Sequence, residues 1–276
     1  MHAANLVREL KKVDDNITVR AWGGNQLIEE GVSLAKNINE TSFMGVLSVI
    51  KNLSSIKKNI DFCKKDILDF KANAIILVDY PGFNLRIAEF AKKNAIKVFY
   101  YIPPKVWAWN KGRILKLKSF VDHLLVIFPF EVAFYKEQGL DAIYVGNPLF
   151  DEISKNDYSL SVDFLKPIIA LLPGSRKEEI ELILPCMLSV VETYPECQFV
   201  VGATNAFSVE FYQSFIGRKN VSIVFNETYG LLSNAEAALV TSGTATLETA
   251  LFKVPQVVCY KTSWLTYVIA KNLIQI

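Results

Sequence analysis

Apolar and polar positions alternate in blocks along this chain. The runs Ala74–Val78, Ile168–Leu172 and Val221–Phe225 are apolar throughout, apart from Ser222, as expected of strands covered on both faces of a parallel sheet. Between such runs, apolar residues recur at three- and four-residue spacing, which predicts amphipathic helices. Read in order, the pattern predicts a helix over 3–12, a strand over 17–22, a long helical region over 43–70, the 74–78 strand and a helix over 85–94. A strand over 96–102, a basic helix, a strand over 123–128, a helix over 129–138 and a short strand over 142–145 follow. The polar, weakly periodic stretch 151–166 reads as a linker. The alternation then resumes with the 168–172 strand, a helix to about Tyr194, a strand over 198–202, a helix over 207–217, the 221–225 strand and a short helix over 228–233. A strand over 237–240, a helix entered through Thr244, a strand over 255–260 and a helix from 263 close the chain. Two successive α/β runs predict an α/β fold of two Rossmann-like domains facing a cleft, divided as 1–153 and 154–276.

Composition adds bounds. The chain has 276 residues, 51% hydrophobic and 21% charged, which allows one or two globular domains and excludes a disordered chain. Net charge is only +2, but residues 1–150 hold 21 Lys and Arg against 15 Asp and Glu, and the remainder 9 against 13. A basic first half fits an anionic partner there, a phosphate-bearing substrate or a membrane surface, although drift alone also produces such a split. Four cysteines stand far apart with no C-x-x-C, pointing to a reducing cytosol and to neither a zinc site nor a disulfide framework. The start of the chain reads as an amphipathic helix and not a signal peptide. No apolar run approaches the roughly 20 residues that span a bilayer.

Candidate chemistry gathers at the strand ends. After Leu172 come Pro173, Gly174, Ser175 and Arg176, a tight turn into a helix, with Ser175 as N-cap and Glu178 completing a capping box. Such a turn offers backbone N–H groups and a positive helix end to an anion. Arg176 stands where the helix dipole favours an acid, so it is either an exposed arginine on an ordinary turn or a cation awaiting a negative ligand. A second strand–turn–helix carries Ser242, Gly243 and Thr244, whose hydroxyls and N–H groups suit a diphosphate. Glu248, one helical turn further on, is either an exposed helix residue or an acceptor for ribose hydroxyls. Asp79, at the carboxyl end of the 74–78 strand, is a candidate general base, or a turn former. The stretch 103–118 holds two prolines, Trp107 and Trp109, and the cations Lys105, Lys111, Arg113, Lys116 and Lys118 without an acid. It suits single-stranded nucleic acid, a sugar platform, a membrane-facing loop, or a packed loop before a solvated helix. Apolar residues around Met44 followed by lysines suit an interfacial helix or one packed on a sheet. His123 reads as structural. G-x-G-x-x-G and G-x-x-x-x-G-K-[ST] are both absent, which argues against a nicotinamide cofactor and a P-loop ATPase.

Five segments occur together in order: 101–109 (YIPPKVWAW), 128–135 (FPFEVAFY), 145–148 (VGNP), 171–180 (LLPGSRKEEI) and 242–248 (SGTATLE). With them the chain closely resembles the lipid-A-disaccharide synthase family, inverting glycosyltransferases of the GT-B fold, over essentially its whole length. The resemblance implies transfer of the sugar of UDP-2,3-diacylglucosamine to the 6-hydroxyl of 2,3-diacylglucosamine 1-phosphate (lipid X), without a metal or other cofactor. It implies Asp79 as general base and Arg176 as the group that meets charge on the leaving UDP. Gly174, Ser175, Arg176, Ser242, Gly243, Thr244 and Glu248 would bind UDP. Met44, Lys105, Trp107, Trp109 and Arg113 would lie on the acceptor and membrane side. The implied location is peripheral, on the cytoplasmic face of the inner membrane, with no nucleic-acid partner and a homodimer left open. Against the family pattern, Gly82 stands where a second Asp is frequent. A first strand with its Gly-Glu-x-Ser-Gly-Asp loop and a C-terminal segment are also lacking, so this chain is expected to be weakly active or inactive. The rival readings are another GT-B enzyme such as a UDP-sugar epimerase, a non-catalytic UDP-sugar-binding remnant, and a nucleic-acid binder, the last disfavoured by the net charge of +2.

Overall fold

The computed structural model describes residues 2–37, 53–107, 112–154, 158–162 and 164–261. They form two compact units that meet in sequence between Pro148 and Leu149. Each is an α/β unit with parallel strands only.

The first unit opens with α1 (His2–Val13), whose Ala4 and Val7 pack on Leu27 and Val32. Strands β1 (Arg20–Gly23) and β2 (Ser33–Asn37) pair with each other, with the one-turn helix α2 (Gln26–Glu29) between them. Helix α3 (Leu53–Asp69) leads to a four-stranded sheet in simple order: β3 (Ala74–Val78), β4 (Lys97–Tyr101), β5 (His123–Val126), β6 (Ala142–Tyr144). The connections are α4 (Pro81–Lys93), α5 (Arg113–Phe120) and α6 (Pro129–Glu137). Leu85, Ile87, Ala88 and Ala91 of α4 join Val98 and Tyr100 of β4 in one core. Asp122 ties this layer together: its carboxylate accepts from Lys92 Nζ at 2.6 Å and from the Val98 N–H at 2.9 Å. His123 stacks on Phe99 with centroids 4.8 Å apart, a packing role.

The second unit has a five-stranded sheet in the order β11-β10-β7-β8-β9, formed by β7 (Ile168–Leu172), β8 (Gln198–Ala203), β9 (Val221–Phe225), β10 (Ala235–Thr241) and β11 (Gln256–Cys259). The apolar runs exist because both faces are covered. Leu171, Phe199 and Val201 face α8 (Lys177–Met187) and α9 (Val209–Ile216), while Ile168, Ala170, Leu172 and Val200 face α10 (Thr228–Ser233). The chain steps outward from β7 to β8 and β9, then returns to the other side of β7 as β10. The direction of winding therefore reverses between β7 and β10, the place where sheets of this kind bind ligands.

Some expectations need correction. The stretch read as a linker begins inside a helix, α7 (Pro148–Ser154). The helix expected to run to about Tyr194 is α-helical only to Met187 and then a 3-10 helix, Leu188–Thr193. Pro185 lies just before the change, where its missing N–H and ring disrupt α-helical bonding. The expected helix over 43–70 is described only from Leu53, and the expected helix from 263 lies outside the described residues. No helix among the described residues is long and apolar enough to cross a membrane.

Candidate active site

In the first unit, Asp79 follows β3 directly and is exposed. Asp79 and Tyr80 both have left-handed backbone, φ 47° and 43°, a conformation that costs each non-glycine residue about 1–3 kcal/mol. Hydrogen bonds hold it in place. Asn84 Nδ2 donates to the carbonyls of Val78 at 3.1 Å and of Asp79 at 2.7 Å, and the buried Tyr100 hydroxyl donates to the Asp79 carbonyl at 2.7 Å. The Asp79 N–H reaches the Tyr101 carbonyl at 3.3 Å. All of these bonds end on backbone atoms of Val78 and Asp79, and none involves the Asp79 carboxylate. Among the described residues its carboxylate accepts none, so it is exposed on a turn held through backbone groups. The turn also explains why α4 starts at Pro81 and not at residue 85: proline's fixed φ suits the first helical position.

The structure adds His2 to this neighbourhood. Burial lowers its pKa from the ordinary histidine value, against a raising pull from the Asp79 charge, and its Nδ1 is buried without a hydrogen-bond partner. At the start of an amphipathic helix, nothing in the sequence pattern linked it to Asp79.

Trp107 and Lys105 are engaged within the fold. The Trp107 indole N–H donates to Glu131 at 3.3 Å, and its ring meets Phe130 edge-on at 5.2 Å. Glu131 is buried and also accepts from the Phe128 N–H at 3.1 Å, fixing the start of α6. Lys105 lies over the Phe128 ring at 5.9 Å. Met44 and Trp109 lie outside the described residues.

In the second unit, the two expected turns are neighbours, because β7 and β10 pair directly with Leu172 opposite Val240. Gly174 has φ 106°, and a Cβ built there would lie 2.7 Å from Glu179 Oε2 and 3.3 Å from Thr241 Cγ2. Glycine is needed for both conformation and space. The expected capping box is not formed. Arg176, with extended backbone, occupies the N-cap position of α8, and no side chain caps it. The Arg176 guanidinium instead donates to Glu179 Oε1 at 2.7 Å, with the arginine side chain 62% exposed. An exposed pair of this kind contributes about 0–1 kcal/mol, so a ligand can redirect the arginine at little cost.

Gly243 precedes α11 (Thr244–Leu251), and a Cβ at Gly243 would meet nothing within 4 Å. The Ser242 N–H donates to the Cys259 carbonyl at 3.2 Å and belongs to the sheet, which leaves the Ser242 hydroxyl and the first N–H groups of α11 as donors. Glu248 is not an exposed helix residue. Burial raises its pKa, opposed by the Tyr229 hydroxyl, which donates to Glu248 Oε1 at 3.1 Å. Tyr229 packs edge-on against Tyr158 at 5.0 Å and lies 5.4 Å from Phe252. No periodicity pointed to Tyr229, since its partner belongs to another helix 19 residues away.

Among the described residues no group of three or more His, Cys, Asp or Glu side chains is arranged to hold a metal ion. The arrangement comprises an accessible carboxylate on a strained turn in one unit and, in the other, two adjacent turns with glycine, hydroxyl, arginine and a half-buried carboxylate. The carboxylate of the first unit is of the kind that serves as a base, and the turns of the second, by themselves, offer donors to an anion with an attached hydroxyl-bearing group.

The family model described as "Lipid-A-disaccharide synthetase" matches residues 1–276. Curated relatives described as lipid-A-disaccharide synthases include one from Syntrophus aciditrophicus, 38% identical over 100% of this chain and 76% of its own length. One from Coxiella burnetii is 34% identical over 99% and 75%, and a lipid-A-disaccharide synthase 1 from Legionella pneumophila is 37% identical over 100% and 75%. Among solved structures, UDP-GlcNAc 2-epimerase from Neisseria meningitidis bound to UDP-GlcNAc aligns with a TM-score of 0.67 at 15% identity, over 97% of this chain and 81% of that one. Acinetobacter baumannii MurG aligns with a TM-score of 0.51 at 12% identity, over 98% and 86%. These structural likenesses identify the fold as GT-B.

Proposed function

This chain belongs to the lipid-A-disaccharide synthetase family, hexosyltransferases of lipid A biosynthesis, and from that premise we propose that it transfers a 2,3-diacylglucosaminyl group from UDP to lipid X. The 6-hydroxyl of lipid X attacks the anomeric carbon of the donor as the bond to UDP breaks. Asp79 takes the hydroxyl proton, and the products are a β-1,6-linked disaccharide 1-phosphate and UDP. The family match over residues 1–276 carries this reading.

The geometry supports the roles. The left-handed turn at Asp79 and its three side-chain hydrogen bonds fix a base before the acceptor arrives, the condition under which general-base catalysis contributes about 10²–10⁴-fold. The turn at Gly174, the Arg176 guanidinium and the start of α11 at Gly243 and Thr244 offer donors to a diphosphate at the switch point of the second sheet. Arg176 there meets the charge that grows on the leaving UDP. Glu248, oriented by Tyr229, accepts from the ribose hydroxyls. UDP-GlcNAc, named with the Neisseria epimerase, is a donor of the same chemical class. Acylated substrates support a peripheral position at a membrane surface, which this reading puts on the inner face of the inner membrane.

The test is transfer from UDP-2,3-diacylglucosamine to lipid X by the parent chain and by Asp79→Asn, with UDP binding measured alongside. The expected result is weak but measurable turnover by the parent, a further loss of about 10²–10⁴-fold in kcat for the variant, and unchanged UDP affinity. A variant that turns over like the parent removes Asp79 from the base role. A folded parent that binds UDP but transfers nothing to lipid X removes the acceptor assignment.

A further inference from the structure

Beside the Asp79 turn lies an open cavity of about 400 Å³, lined by Pro81, Gly82, Arg86, Gly112, Arg113 and Lys116 together with Leu85. Its charged lining consists of three cations and no acid. The two helices that frame it both begin there: Pro81 is the first residue of α4 and Gly112 the N-cap of α5. Positive helix ends disfavour cations, yet α5 carries Arg113 and Lys116 in its first turn and no acid there. Among the described residues neither Arg86 nor Lys116 forms an ion pair. Glu89, the carboxylate whose field Lys116 reaches, is held by Lys93 at 2.8 Å. Gly82 leaves the mouth clear, since a Cβ there would meet nothing within 4 Å.

Position gives the cavity a role. Burial raises the pKa of the Tyr100 hydroxyl and the Asp79 charge adds to that, while the Arg113 charge opposes it, so Arg113 lies within reach of the hydroxyl that fixes the Asp79 turn. We propose that Arg86, Arg113 and Lys116 form a phosphomonoester cradle that holds the 1-phosphate of the acceptor sugar while its hydroxyl is presented to Asp79. A dianion with three acceptor oxygens matches two forked guanidinium groups and an ammonium. A membrane lipid headgroup shares this chemistry, but the adjacency to Asp79 favours the acceptor. The inference rests on the transferase reading above.

The experiment uses Arg86→Gln, Lys116→Gln and the double variant, whose exposed positions leave folding intact, as a melting curve verifies. Binding of glucosamine 1-phosphate to the full chain is followed by 31P NMR. Transfer kinetics are measured with lipid X and with its dephosphorylated counterpart, and sedimentation with phosphatidylglycerol and phosphatidylcholine vesicles is measured in parallel. The expected result is glucosamine 1-phosphate binding weakened at least about tenfold in the double variant, with a matching rise in KM for lipid X. KM for the UDP donor and all kinetics on the dephosphorylated acceptor stay at parent values. Binding of glucosamine 1-phosphate that is absent from the parent or equal in parent and double variant overturns the proposal. So does a loss confined to phosphatidylglycerol sedimentation, which assigns the cations to a lipid headgroup. Phosphate-dependent binding lost in the variants of a chain that transfers nothing to lipid X upholds the cradle and overturns the transferase reading. Transfer to lipid X that is indifferent to the substitutions does the reverse.

Discussion

Glu248 is the residue at which stability and ligand binding pull in opposite directions. Burial holds its carboxyl above the ordinary carboxylate range, and the Tyr229 hydroxyl partly restores the charged form by donating at 3.1 Å. The folded chain therefore keeps the proton over an interval of pH in which the unfolded chain has released it. Stability is full below the unfolded value, falls as pH rises through that interval, and is flat above the folded value. Glu248→Gln removes that dependence, so this variant is expected to melt at or above the parent temperature at pH 7 while binding UDP more weakly. Tyr229→Phe removes one hydrogen bond, worth about 0.5–1.5 kcal/mol, and is expected to weaken UDP binding about two- to tenfold. It also leaves the carboxyl harder to ionise, so the rise of UDP affinity with pH shifts upward. A titration of UDP affinity against pH separates positioning from packing. An unshifted profile in Tyr229→Phe with a lowered melting temperature means that the tyrosine only fills space.

At the scale of elements, the turns decide where chemistry sits, and Gly174 tests that directly. Gly174→Ala forces a side chain into φ 106° and places Cβ 2.7 Å from Glu179 Oε2, the carboxylate that holds Arg176. The expected cost is about 1–3 kcal/mol of stability, with a fall in UDP affinity as the Glu179–Arg176 pair is displaced. Gly217→Ala is the matched control: its φ is 61° at the end of α9, with nothing within 4 Å of the new Cβ. It should lose comparable stability and keep UDP affinity, as measured by melting and by equilibrium binding. Equal losses of affinity in both variants would mean that the turn at Gly174 has no special part in binding. These elements also mark the limit of what was legible in the sequence. Strands β3, β7 and β9 and helix α10 match their expected bounds residue for residue. Continuous apolar runs record two-sided burial directly, and the helix follows from its flanking turns. Strand β2 and helix α2 were not foreseen, because they are short and β2 is half-buried without a buried face. The start of α8 was displaced by one residue because Arg176 takes the cap position without a side-chain bond, which no capping motif encodes. The positions of Asp79 and of the Gly174 and Gly243 turns at strand ends were legible, because apolar strand runs that stop at a proline, glycine or serine carry a local signal. His2, Tyr100 and Tyr229 were not, because their partners lie on other elements and only packing brings them together.

At the scale of the whole molecule, the two units have separate cores, one built on Val98, Tyr100 and the apolar face of α4, the other on the two covered faces of the β7–β8 sheet. Their candidate ligands divide in the same way, with UDP contacts proposed only on the second unit and the phosphomonoester cradle only on the first. A ligand that binds a folded unit raises its stability by RT ln(1 + [L]/Kd), about 2.7 kcal/mol at one hundred times Kd. Scanning calorimetry of the full chain is therefore expected to resolve two transitions. UDP should move one of them and leave the other in place, whereas glucosamine 1-phosphate should move the second. The Arg86→Gln, Lys116→Gln double variant should abolish only the glucosamine 1-phosphate shift, and Glu248→Gln should reduce only the UDP shift. A single transition displaced equally by both ligands would show that the units unfold as one body, so their ligand assignments could not be separated by melting. Two transitions with UDP moving the one that glucosamine 1-phosphate also moves would place both anions on the same unit, contradicting the division of labour that the charge split and the two sheets support.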